Sequence, residues 1–145
     1  MSTPVKILNA IISLVSTPPI DGVKVFRQLS YAIPSEKERA IVNIKLSQES
    51  APVLYSAPTK LDAVADRTVD LLVEIVARGD DALEQCERLR IEMSRRILTD
   101  ETLGGLAAAV DEGGVMRDDE DMDGSMMRAT TIFSVKYRTL GVDDD

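Results

Sequence analysis

Histidine is absent from this chain of 145 residues, and cysteine occurs once, as Cys86. Without histidine there is no imidazole for general acid–base work, no Ser-His or Cys-His nucleophilic pair and no histidine-containing zinc site. One cysteine excludes an intrachain disulfide and a cysteine-cluster metal site, and it suits a reducing compartment. Basic residues are in deficit, 17 against 25 acids, for a net charge of −8. That balance opposes non-specific binding to nucleic acid and docking on anionic lipid, both of which depend on Lys and Arg. Long apolar runs are also lacking. The stretch from Ile7 to Val15 contains Asn9 and is about half the length a bilayer requires. Only Lys6 could serve as its basic flank, and no Ala-x-Ala site precedes Pro18 and Pro19, so it reads as a helix of the mature fold rather than a signal peptide. What is present is 44% hydrophobic and 29% charged residues, enough for one domain over residues 1–145 with its own core. Composition therefore disfavours most enzymes and points to a small acidic protein whose work is binding.

Thr3 and Pro4 open a helix, as N-cap and first helical residue, and Leu8, Ile11, Ile12 and Val15 recur at helical spacing. Pro18 and Pro19 end it. The helix is apolar almost all round, which demands cover on more than one side and leaves room for a neighbouring subunit to supply part of it. Asp21-Gly22 marks a turn, after which Val23, Val25, Leu29 and Tyr31 and then Ala40, Val42, Ile44 and Leu46 alternate as two strands, read as an antiparallel hairpin. Pro52 and Pro58 interrupt the pattern, with Val53 to Tyr55 able to add a short pairing. Arg67 to Arg78 reads as a central strand ended by Gly79. Asp80 and Asp81 start a second helix. Its apolar stripe is Ala82, Cys86, Leu89, Met93 and Ile97, and Arg88, Arg90, Arg95 and Arg96 lie on its other side. Leu106 to Val110 reads as a short strand. The acidic, glycine-containing segment at 111–126 reads as a mobile loop, Ala129 to Arg138 as the last strand, and 141–145 as a fraying tail. The expected fold is α+β: a mostly antiparallel or mixed sheet of four to five strands, with two main helices chiefly on one face.

Few motifs carry chemistry. Asp119-x-Asp121-x-Asp123-Gly124 imitates the first half of a calcium loop, but its twelfth position is Thr130 instead of a bidentate Glu, and a strand follows. A solvated acidic loop accounts for it, and a calcium-binding module is the lesser alternative. Leu103-Gly104-Gly105 lacks the Lys and Ser/Thr of a phosphate loop and reads as a helix-ending turn. Cys86 falls on the apolar stripe, where a thiol behaves as a small hydrophobe. The paired acids Asp80-Asp81 and Asp118-Asp119 lie at a helix start and in the acidic segment, not in a walled pocket that would drive their pKa values apart.

The run "LTDETLGGLAAAV", a variable segment, and then the strand "ATTIFSVKYRT", preceded by "RTVDLLVEIVARGDDALEQCERLRIEMSRRI", resembles the tail terminator proteins of long-tailed bacteriophages. The resemblance covers most of the chain as element order and is specific from Leu98 to Thr139. It implies a structural virion protein without catalysis at the tail–head junction, assembled in the host cytoplasm. Such proteins form a ring, six-fold in the well-known cases, that caps the head-proximal end of the tail tube. The cap stops polymerisation and offers a head-joining surface. The implied partners are further copies of the chain, the major tail tube protein and a head-completion or stopper protein, with no membrane and no specific nucleic acid. The alternative within the same class is a head–tail connector or stopper. Candidate interface residues are Leu8, Ile11, Ile12 and Val15 of the first helix, Arg88 and Arg95 of the second, and Asp118, Asp119, Asp121 and Asp123. No catalytic, cofactor-binding or metal residues are assigned.

Overall fold

In the computed structural model, residues 2–30, 33–35, 37–55, 64–119 and 125–140 are described. The chain is α+β, with two helices and a six-stranded mixed sheet. Its order is α1 (Thr3–Ser16), β1 (Val23–Arg27), β2 (Ala40–Glu49), β3 (Val53–Leu54), β4 (Val64–Arg78), α2 (Ala82–Leu98), β5 (Ala109–Asp119) and β6 (Met126–Leu140). Across the sheet the strands run β1-β2-β4-β6-β5, with β3 continuing beside β4 beyond the end of β2.

The alternation in the strands sets the core. Val42 and Ile44 of β2, Leu71, Val73 and Ile75 of β4, and Phe133, Val135 and Tyr137 of β6 all point to one face. Both helices pack there. Ile7, Leu8, Ile11 and Val15 of α1 and Cys86, Leu89, Met93 and Ile97 of α2 complete a single apolar cluster. Helix α1 begins one residue earlier than the sequence pattern indicates: the Ser2 hydroxyl accepts from the Val5 amide at 3.5 Å, so Ser2, not Thr3, is the N-cap. Helix α2 has Glu84 in its first turn and Arg95 and Arg96 in its last, each at the favourable end of the helix dipole.

Three expectations are corrected. First, β1 and β2 are parallel, not a hairpin: Val23 pairs with Ala40 and Arg27 with Ile44. The connection over 28–39 is long enough for a crossover. It is held against the face opposite the helices, where Asn43 bonds both the amide and the carbonyl of Leu29, and Arg78 donates to the Pro34 carbonyl. Second, the segment expected as a mobile loop over 111–126 is mostly strand. Residues 111–119 belong to β5 and Met126 to β6, and the two strands pair from Ala109 opposite Lys136 to Asp119 opposite Met127. The pairing shifts between Glu112 and Val115, so Gly113 and Gly114 form a bulge, not a flexible hinge. Glycine at 113 relieves a tight contact, since a Cβ there would lie 3.0 Å from the Ile132 carbonyl oxygen. Helix α2 holds this charged strand at two points: Arg117 forms a two-pronged pair with Glu87 at 2.8 and 2.9 Å, and Ser94 donates to Glu112 at 2.9 Å. Third, α1 needs no cover from a neighbour. Leu8, Ile11 and Val15 are buried against the chain's own sheet and α2, and Ile12 is half-buried against the same cluster. The expected tail at 141–145 lies outside the described residues.

Truncating Ile11 to Ala should therefore cost about 2–5 kcal/mol of stability, the range for opening a cavity in a packed core. Urea denaturation of the dilute protein checks this: a change near zero would mean that α1 does not belong to the protomer's interior.

Candidate assembly surface

The sheet has two unlike faces. The helix-covered face is sealed. The opposite face carries Ile41, Asn43 and Lys45 from β2, Asp70, Leu72, Glu74 and Val76 from β4, and Arg128, Thr130, Ile132 and Ser134 from β6. Near β1 it is closed by its own small cluster, in which Ile41 and Val76 are buried with Phe26 and Met126 packed against them. Beside that cluster lies a polar knot. Glu74, only 8% exposed, accepts from Asn43 at 2.9 Å and pairs with Lys45 and Arg128, each at 3.2 Å. A buried carboxylate without such partners would carry a large desolvation cost, and here two cations and an amide offset it. Asn43 in turn fixes the crossover through Leu29, so the knot joins the sheet to the connection that covers it.

Toward β5 the same face is open. Leu72 and Ile132 sit directly opposite each other and are half-buried. Ser134 donates to Asp70 at 2.7 Å beside them. Met116 of β5, 66% exposed, continues the apolar strip toward the rim. An apolar strip bordered by hydroxyls and carboxylates has a composition that fits a protein-binding surface.

At the far end of β4 and β6, Tyr55, Asp66 and Arg138 form an exposed cluster, with Arg138 donating to Asp66 at 2.8 and 3.3 Å and the Tyr55 hydroxyl at 2.5 Å. The Arg138 guanidinium, then the Tyr55 hydroxyl, hold the Asp66 carboxyl below its ordinary value, and Asp66 raises the Tyr55 phenol. On α2, Arg117 lowers Glu87, and Arg95 with Arg96 lowers Glu92. Arg96 also donates to the carbonyls of Val15 and Pro18, tying α2 to the end of α1. Burial pushes the Cys86 thiol up to about 11, which fits a core residue and not a reactive one.

The residues expected at an interface are thus dispersed. Leu8, Ile11 and Val15 are interior, and Ile12 is half-covered. Arg88 and Arg95 are exposed on the outer side of α2, where Arg95 pairs with Glu92 at 2.5 Å. Asp118 is exposed on β5, and Asp119 ends that strand. Asp121 and Asp123 lie outside the described residues. Among the described residues no group of three or more metal-type side chains converges, and no helix is long and apolar enough to cross a membrane. Sequence reasoning missed Asn43, Glu74 and Arg128 as a unit. The available signal was a lone Glu within "LLVEIVAR", a strand apolar on both faces, where a carboxylate requires a buried partner. The chain matches no protein-family model, and no curated protein matches it.

Two outcomes follow. Glu74→Ala removes the buried carboxylate that holds Asn43, Lys45 and Arg128 together and should cost about 3–5 kcal/mol, measured by denaturant unfolding. Acid should loosen the β5–α2 strut. Glu87 is lowered from an ordinary value of 4.5, so its contribution is complete above that pH and is lost as the pH falls through the lower folded value. The protection of the β5 amides against hydrogen exchange, relative to their intrinsic rates at each pH, should fall in that window, and Glu87→Gln should remove this change in protection; an equal loss of protection in the variant would refute the assignment.

Proposed function

We propose that this chain is a structural virion protein of the tail terminator type: a ring-forming subunit that caps the head-proximal end of a tail tube, stops its growth and presents a surface for the head. It performs no chemistry. The observation that carries the reading is the sheet's unequal pair of faces. Both helices seal one, and the other keeps an apolar strip of Leu72, Ile132 and Met116 open between β4 and the rim. A capping protein has one task, to occupy the surface that the next tube subunit requires, and a rigid sheet face does this without a pocket or a cofactor. The element order supports the reading in part: an N-terminal helix, a strand leading into a helix and a closing strand follow the plan that the resemblance implies over most of the chain, while the parallel β1 and β2 replace the hairpin in that plan. Net charge of −8 on every copy keeps free subunits apart until they meet the tube end.

Adding the purified chain to polymerising cognate tube protein should give short tubes with extra density at one end, visible by negative-stain electron microscopy. Met116→Lys should weaken capping by about tenfold or more without unfolding the chain, because that side chain is already exposed. Tubes that grow to the same length with and without the protein would refute the reading.

A further inference from the structure

Among the described residues three strands of the sheet have one strand neighbour each: the two-residue β3, beside β4, and the two that end the strand order, β1 and β5. β1 pairs with β2 and β5 with β6, and the strand order puts them at opposite rims. The outward N–H and C=O groups of such a rim are a template for another strand, and like charges set against each other there discourage pairing. Here the rims differ in sign. β1 reads Val-Lys-Val-Phe-Arg, with two bases and no acid. β5 has four acids and one base, Arg117, which Glu87 already holds.

The match extends to individual side chains. On the helix-free face β1 shows Lys24 and Phe26, with the ammonium 5.0 Å from the ring centroid. On the same face β5 shows Met116 and Asp118, opposite Thr130 and Arg128 of β6. Both pairs are spaced by two residues. An antiparallel approach therefore sets Phe26 against Met116 and Lys24 against Asp118 together. Lys24 and Asp118 are both exposed, and neither has an ion-pair partner among the described residues.

We propose that copies of this chain join rim to rim, β5 of one beside β1 of the next, so that the sheet continues from subunit to subunit. The inference rests on the ring reading above and names the surfaces that build the ring. Pairing β1 with β1 would bring base against base, and β5 with β5 acid against acid, so only the unlike contact is attractive. A contact between two different patches is heterologous, the type that generates a closed ring when the rotation allows it. It engages Met116 at the rim and leaves Leu72 and Ile132 on the sheet face free for the tube.

The test uses the full chain and its state of assembly by analytical ultracentrifugation. Lys24→Glu alone and Asp118→Lys alone should each raise the concentration for half-assembly by about tenfold or more. The double variant should restore assembly, which a merely damaged fold would not do. In a second chain carrying Lys24→Cys and Asp118→Cys, mild oxidation should give an intermolecular ladder that ends at the ring size. Directly opposed strand residues lie within the roughly 4.4–6.8 Å Cα separation that a disulfide spans, and Cys86 is buried and does not compete. A wild-type assembly that ignores both reversals and yields no crosslink overturns the rim pairing and leaves the ring reading standing. A wild-type chain that stays monomeric at every concentration overturns the ring reading and the rim pairing with it.

Discussion

β4 and β6 run antiparallel along their whole length, from Val64 opposite Leu140 to Arg78 opposite Met126. Every other element takes its place from that pairing. Because side chains alternate, one register assigns Leu71, Val73 and Ile75 with Phe133, Val135 and Ala129 to one face, and Leu72 and Glu74 with Ile132 and Thr130 to the other. A slip of one residue would exchange the two sets and strand the apolar surface in water. The helices have one place to go, since the stripes of α1 and α2 are buried only against the first face. β2 and β5 then add on either side, and the short β1 closes one rim.

That division of the sheet links stability to the proposed role. The sealed face supplies the bulk of the hydrophobic burial. The other face is held by fewer and more specific contacts, the knot of Asn43, Lys45, Glu74 and Arg128 near β2 and the small cluster around Ile41 and Val76. The knot anchors the crossover that makes β1 parallel to β2, so it also fixes the strand that the rim pairing uses. A polar, partnered interior of this kind binds the connection in one position where apolar contacts alone would tolerate several. The acidic rim is fixed in the same way from the other side, through Arg117 on Glu87 and Glu112 on Ser94.

Much of this was legible from residue order. Periodicity located both helices, β2, the greater part of β4 and β6, and the short β3, because these segments are long or have apolar residues at strict spacing. The absence of histidine and the single buried Cys86 were equally plain. Three features were not legible. The segment 111–119 looks like a loop because acids and paired glycines have low strand propensity, yet pairing with β6 and the salt bridge to α2 override that propensity. The parallel β1 was hidden because alternation reports a strand and not its direction. The interface role expected of Leu8, Ile11 and Val15 failed because an apolar helix demands cover without saying whose.

The amino-acid order by itself determined which residues are apolar at which spacing, and hence the element types, the α+β class and the lack of residues for histidine or cysteine-cluster chemistry. It also determined an excess of acid, with Lys24 and Arg27 placed in one segment and Asp111, Asp118 and Asp119 in another. Only the tertiary structure decided that these two segments are opposite rims of one sheet and that Phe26 and Met116 share a face with Lys24 and Asp118. Strand neighbours are chosen by contacts between residues far apart in the chain, and local periodicity carries no record of them.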